Sequence, residues 1–166
     1  MTADGITGSP AGKIDEARLS VLLVDLAKNF GGTDVRVIQT AKALHGRCRY
    51  AVATLADSPL HQRLQEEKLV ALPLTFRRGD PRLLWAFLKI VRKGGFTVVD
   101  AHNFQSQMWG LLAATLSRIP GRIATVHSAY GIVTKGYRGK VQEAVLRLNV
   151  RWGCRFITVS EATKSY

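Results

Sequence analysis

Three short stretches of this 166-residue chain carry residue types that can hold an anion and handle a proton. Gly31-Gly32-Thr33 follows an apolar run of strand length, residues 19–26, and precedes a helix-start signal. A turn of that kind sets bare backbone N–H groups at a helix N-terminus, where the helix dipole favours an anion such as a diphosphate. His102-Asn103 and His127-Ser128 each close an apolar run and open the next segment. An imidazole in a polar pocket can donate, accept or shuttle a proton near neutral pH. Each stretch also has a plainer reading. Two glycines can form a tight turn and nothing more, Asn103 can be a structural N-cap, and a strand-end histidine can be structural.

No other motif supplies a complete chemistry. The double glycine is not followed by Gly-Lys-Ser/Thr as in a Walker A loop, and it does not fit G-x-G-x-x-G, which argues against a dinucleotide oxidoreductase. Carboxylates are scarce after Asp100 and none are spaced as an acid/base pair, no Cys/His cluster suggests a metal, and no G-x-S-x-G elbow presents a nucleophile.

The elements that must position these residues follow from periodicity. The run 19–26 predicts a buried strand, and a helix over 33–45 follows, with Val37, Ile38, Ala41 and Leu44 as its apolar stripe. Residues 49–55 predict a second strand and Ser58-Pro59 a capped helix start; 69–74 predict a third, short strand. The helix over 82–93 is strongly amphipathic. Leu84, Phe87, Leu88 and Val91 face one way, Arg82, Lys89, Arg92 and Lys93 the other, and Gly94-Gly95 ends it. A fourth strand, 96–102, leads into a helix built on Met108, Leu111, Leu112, Thr115 and Leu116. Residues 122–127 predict a fifth strand and 156–159 a sixth, joined by a Gly-, Tyr- and Lys-rich loop and a basic helix with Val141, Val145, Leu148 and Trp152 inward.

Strands alternating with helices imply right-handed crossovers and a Rossmann-like three-layer α/β/α domain with a parallel sheet of six or more strands. Ligands of such sheets bind outside the carboxyl ends of the strands. The double glycine, His102 and His127 all fall on that edge, and their meeting there argues for a site where none of them does alone.

Composition bounds the rest. An apolar fraction of 46% is ordinary for a globular domain, and no window reaches the roughly 18 apolar residues of a membrane span. Residues 1–17 lack an apolar signal core and are expected to be a flexible tail before a domain over 18–166. The expected compartment is the cytoplasm. Cys48 and Cys154 match no metal or redox spacing. The net charge of +12 is uneven: residues 1–76 carry nine Lys/Arg against eight Asp/Glu, and 77–166 carry fifteen against four. A field of that kind attracts nucleic acid, an anionic membrane surface or a phosphorylated ligand.

Taken in order, these residues resemble the N-terminal half of family 4 glycosyltransferases, retaining enzymes of the GT-B architecture. The matching stretches are the first strand with Gly31-Gly32-Thr33-Asp34, then Val98-Val99-Asp100-Ala101-His102, Ile119-Pro120 with Thr125-Val126-His127, and Ile157-Thr158-Val159-Ser160-Glu161. Asp34 stands where the family more often has a glutamate. The resemblance implies that Gly31, Gly32 and Thr33 approach the diphosphate of a nucleotide-sugar donor, and that His127 contacts the transferred sugar as the catalytic-side residue. It implies that His102, Asn103 and Ser128 line the substrate side. The nucleotide-sugar is then a co-substrate, with no metal or other cofactor expected. The family's nucleotide pocket lies in a C-terminal domain that this sequence does not contain, so a half-site with little activity of its own is expected. The basic second half would suit a phosphorylated or lipid-linked acceptor at the inner membrane face. Two other readings stay open: a non-catalytic module that binds anionic ligands or nucleic acid through its basic face, and half of a GT-B nucleotide-sugar epimerase.

Overall fold

The computed structural model describes residues 19–77, 79–127 and 136–158. The expected tail, Ser128 with the loop through 135, and Val159-Ser160-Glu161 lie outside the described residues. Six strands form one parallel sheet in the order β3-β2-β1-β4-β5-β6. They are β1 (Ser20–Asp25), β2 (Arg49–Leu55), β3 (Ala71–Leu74), β4 (Val98–Ala101), β5 (Gly121–Val126) and β6 (Arg155–Thr158). All six residues of β1 are buried, which is why this central strand reads as an apolar run between Ser20 and Asp25. Its side chains alternate between two cores. Val21 and Leu23 pack with Val37, Ile38 and Ala41 of α1 (Gly32–Leu44) and with Leu60 and Leu64 of α2 (Pro59–Glu66). Leu22 and Val24 pack on the other face with Leu83, Phe87, Leu88 and Val91 of α3 (Arg82–Gly94).

Local chemistry sets the boundaries. The Ser58 hydroxyl accepts from the His61 N–H at 3.2 Å and caps α2, with Pro59 at its first position. Gly95 ends α3 in the left-handed region, at φ 56°, where glycine alone is unstrained. Leu83, not Leu84, is the fully buried leucine of that helix's first turn.

The helix after β4 departs from its expected face. It begins as α4 (Phe104–Ser106), widens into a π-turn over Gln107–Leu111 and resumes as α5 (Leu112–Leu116). The wider turn rotates everything beyond it. Gln107, Gly110, Leu111, Ala113 and Ala114 are therefore buried, and Leu116 is exposed. Gly110 packs on β1, where a Cβ would make ordinary contact with the Val24 methyls at 3.4 Å. The basic helix α6 (Tyr137–Arg151) likewise buries Asn149 and leaves Leu148 exposed, while Trp152 packs on the core. Among the described residues, no helix is long and apolar enough to cross a membrane.

Candidate functional site

The connections after β1 and β4 leave toward opposite faces of the sheet, since α1 packs on one core and α3 with α5 on the other. Neighbouring strands whose connections diverge leave a crevice at their carboxyl ends, the common ligand position of doubly wound sheets. Here that crevice is flanked by a cavity of about 780 Å³ lined by Gly32, Thr33, Arg36, Gln39, His127 and Thr158, among others.

The first-turn amides of Gly32 and Thr33 have no intrahelical acceptor, as at any helix start. Gly31, one residue before the helix, is extended at φ −158° and does not line the cavity. The pair is thus not a left-handed turn. Among the described residues, a Cβ on Gly32 would meet nothing within 4 Å, and one on Gly31 only the Asp34 carboxylate at 3.9 Å. Packing among the described residues does not demand glycine at position 32. Its missing side chain keeps the cavity floor open.

Asp34 is buried and its Oδ2 accepts the Gly31 N–H at 2.8 Å, steadying the helix start. Burial pushes its carboxyl up, against the pull of that amide. Asp25, at the end of β1, is fully buried. Its Oδ1 accepts from the Ala27 N–H at 2.9 Å and from the Asn103 side-chain amide. Its Oδ2 has no hydrogen-bond partner among the described residues. Burial, reinforced by the Asp34 charge, raises Asp25 from 3.8 to about 6; the Ala27 amide, the charge of His102 and Asn103 oppose the rise. Asn103 is fully engaged, since its Oδ1 also accepts the Ser106 N–H at 3.0 Å as the cap of α4. Ser106 in turn accepts the Leu26 N–H at 3.0 Å, tying the end of β1 to the helix after β4.

The two histidines meet. Pairing of β4 with β5 sets Ala101 beside Ala124, and the chain beyond both strand ends brings His102 Nδ1 to 3.3 Å from His127 Nε2. The rings are tilted by 34° with centroids 5.5 Å apart. His102 is sealed, at 2% exposure, so it reaches the cavity only through His127. Its Nε2 lies 3.3 Å from Asp100 Oδ2, within ion-pair distance but off hydrogen-bond geometry. The Thr125 hydroxyl donates to the other Asp100 oxygen at 2.7 Å. The His127 pKa is held below the usual imidazole value by burial first and then by the His102 and Arg36 charges, with Asp100 opposing.

Of the expected site residues, Gly32, Thr33 and His127 share one cavity wall, His102 stands behind His127, and Asn103 serves as cap and Asp25 partner. Ser128 lies outside the described residues. Arg36 and Gln39, polar positions of α1, follow Gly32 at i+4 and i+7 and so stand on the same helix face, lining the cavity. That spacing was available in the sequence. Asp25, Asp100 and Thr125 gave no such signal, because their partners come from other strands.

A family model described as Glycosyltransferase Family 4 matches residues 30–166. Among solved structures, the chain is similar to HepE of Anabaena, crystallised with UDP, at TM-score 0.73 and 17% identity over 89% of this chain and 39% of that one. A glycosyltransferase of Rickettsia africae gives TM-score 0.66 at 18% identity, over 89% and 38% of the two chains. MurG of Acinetobacter baumannii gives 0.57 at 15%, over 76% and 39%. This chain therefore spans about two-fifths of the length of these proteins. No curated protein matches significantly.

Proposed function

This chain belongs to glycosyltransferase family 4, and from that premise we propose that it forms the acceptor-side, N-terminal half of a GT-B enzyme that transfers a sugar from a nucleotide-sugar to an acceptor hydroxyl. Transfer proceeds with retention at the anomeric carbon, and closure against a second domain is required for turnover. The nucleotide-sugar is the co-substrate, and no metal takes part. The observation that carries this reading is the shared cavity of Gly32, Thr33 and His127 beside the switch point of the sheet. Sugar transfer needs the departing diphosphate stabilised and the acceptor aligned. A helix N-terminus beside Arg36 suits the first task, and the His127 imidazole lining the same cavity suits contact with the sugar.

The test is an amide- and imidazole-resolved NMR titration of the 166-residue chain with UDP-glucose, a probe suggested by the HepE structures that hold UDP and UDP-glucose. The Gly32 and Thr33 amides and the His127 ring should shift together along one binding curve. Silence at all three positions overturns the proposal. Shifts confined to α3 and α6, produced equally by a DNA oligomer and abolished by salt, would instead favour a basic binding module.

A phosphorylated or lipid-linked acceptor is part of the same proposal. A second cavity, of about 410 Å³, lies along the same strand-end rim and is lined by Lys28, Asp57, Ser58, Thr75, Phe76 and Arg77, among others. No described carboxylate pairs with Lys28 or Arg77, so both can receive phosphate. The Phe76 ring lies 5.0 Å beneath the Arg82 guanidinium, joining this cavity to the first turn of α3. That helix exposes Trp85, at 72%, beside Arg82, Lys89, Arg92 and Lys93. An amphipathic helix with a basic face and an exposed tryptophan suits the interface of an anionic membrane, worth about 1 kcal/mol per basic residue at the surface. Sedimentation with phosphatidylserine vesicles is expected to pull down the chain about tenfold better than with neutral vesicles, an advantage that falls with salt and with Trp85→Ala. Equal binding to both would remove the membrane from the proposal and leave a cytoplasmic half-enzyme with a phosphorylated acceptor.

A further inference from the structure

His102 makes no contact with the cavity, yet it is held between Asp100 and His127 in a continuous line: Thr125 Oγ1 to Asp100 at 2.7 Å, Asp100 to His102 Nε2 at 3.3 Å, His102 Nδ1 to His127 Nε2 at 3.3 Å. We propose that Asp100 and His102 are positioning residues that fix the tautomer of His127, so that its ring presents a bare Nδ1 lone pair to the cavity and accepts from a hydroxyl of the substrate.

The argument is a chain of single choices. A carboxylate has only acceptors. The His102 nitrogen nearest Asp100 must therefore carry a proton, because a lone pair aimed at a carboxylate oxygen inside the protein would be strongly repelled; the contact need not be a straight hydrogen bond for this to hold. A neutral imidazole carries one N–H. With the proton on Nε2, His102 Nδ1 is an acceptor, and the His127 nitrogen facing it must be the donor. His127 then has its proton on Nε2 and none on Nδ1. No described residue hydrogen-bonds that Nδ1, and His127 lines the cavity.

The consequence is a division of labour. A lone pair repels phosphate oxygens and accepts from alcohols, so His127 selects the polyol part of a ligand. The anionic part is left to the Gly32 and Thr33 amides and to Arg36. His127 stays neutral more readily than a free histidine, because burial disfavours its charged form and the Arg36 charge adds to this. This inference rests on the reading that the cavity takes a nucleotide-sugar, but the tautomer chain itself does not need the ligand.

The decisive variant is Asp100→Asn. Thr125 still donates to the side-chain oxygen, which turns the new amide N–H toward His102 Nε2. That nitrogen becomes the acceptor, the proton moves to His102 Nδ1, and His127 is forced to carry its proton on Nδ1. Long-range ¹H–¹⁵N correlation of the imidazoles, recorded on the ligand-free chain above the histidine titration range, reads every nitrogen directly. The wild type should show Nε2–H on both rings, and Asp100→Asn should show Nδ1–H on both. An Nδ1 proton on either ring of the wild type overturns the proposal without any variant. So does an Asp100→Asn chain, folded by its amide spectrum, that keeps both wild-type tautomers. Free histidine already prefers Nε2–H, so the inversion is the result a merely structural role would not give.

UDP-glucose then separates the two readings. With the relay inverted, the shift at His127 should be lost while Gly32 and Thr33 still respond. If the tautomers invert as stated but none of the three positions responds even in the wild type, the relay stands and the proposed donor is wrong.

Discussion

Asp25→Asn is expected to make the chain more stable at pH 7 by up to about 3 kcal/mol, and to be nearly neutral at pH 4. Asp25 is fully buried, with one carboxylate oxygen unpartnered and Asp34 nearby. The folded chain therefore holds the Asp25 proton up to about 6, whereas the unfolded chain releases it near 3.8. Between those values folding takes up a proton, so stability falls as pH rises through the interval and stays low above it. Asparagine has no charge to desolvate, and its oxygen can still accept from the Ala27 N–H. The substitution also removes the like charge that the Asp34 carboxylate faces. His127 contributes the opposite trend, since its depressed pKa removes stability as pH falls, but both chains share that contribution and it cancels in the comparison. Urea unfolding of both chains at pH 4 and pH 7 measures the effect. A wild type at least as stable as the variant at pH 7 would contradict it. That a carboxylate should persist at this cost is understandable from its place: it ties the end of β1 to Asn103, the residue that starts the helix after β4.

How far the sequence carried differs between fold and site, for physical reasons. Central strands of a parallel sheet are buried on both faces, so β1 reads as an apolar run and the alternation of strands with helices gives the topology. Caps are equally local, and Ser58-Pro59 and Gly94-Gly95 behave as their types require. Helix phase is less secure. A periodicity of 3.6 cannot foresee the π-turn over Gln107–Leu111, and one widened turn is enough to bury Ala113 and Ala114 and expose Leu116. The strand-end rim was legible because a parallel sheet collects every β-to-α connection on one edge. The contacts across that rim were not. Asp25 with Asn103, and Asp100 with Thr125, pair residues 78 and 25 positions apart, fixed by sheet order and by the register of β4 on β5. The histidines could be placed on one edge from sequence. That one stands in front of the other, and that only His127 reaches the cavity, needed coordinates.

Gly32→Val is expected to weaken UDP-glucose binding by about 10- to 100-fold while leaving the thermal midpoint within a degree or two. Ordinarily a glycine is replaced at a cost because its φ is positive or a neighbour crowds its Cβ. Neither holds at Gly32, where the added carbon meets no atom of the described residues within 4 Å. At the first helical position valine costs no more than a few tenths of a kcal/mol relative to other residues. The same empty space is where a diphosphate must come to reach the Gly32 and Thr33 amides. A branched side chain there denies the approach, and losing one charge-assisted hydrogen bond is worth about 1.5–3 kcal/mol. Gly31→Val provides the contrast. It sits one residue away, outside the cavity lining, in extended backbone that any residue adopts, with only the Asp34 carboxylate 3.9 Å from its Cβ. It should bind UDP-glucose within about twofold of the wild type, because no amide the ligand uses is covered. NMR titrations of the two variants decide the matter. Equal losses would mean that the whole βα connection matters only as a turn, and an undiminished Gly32→Val would mean that the diphosphate binds elsewhere. Loss at Gly32 alone, with both variants fully folded, would make its vacant side-chain position a property of the ligand site and not of the fold.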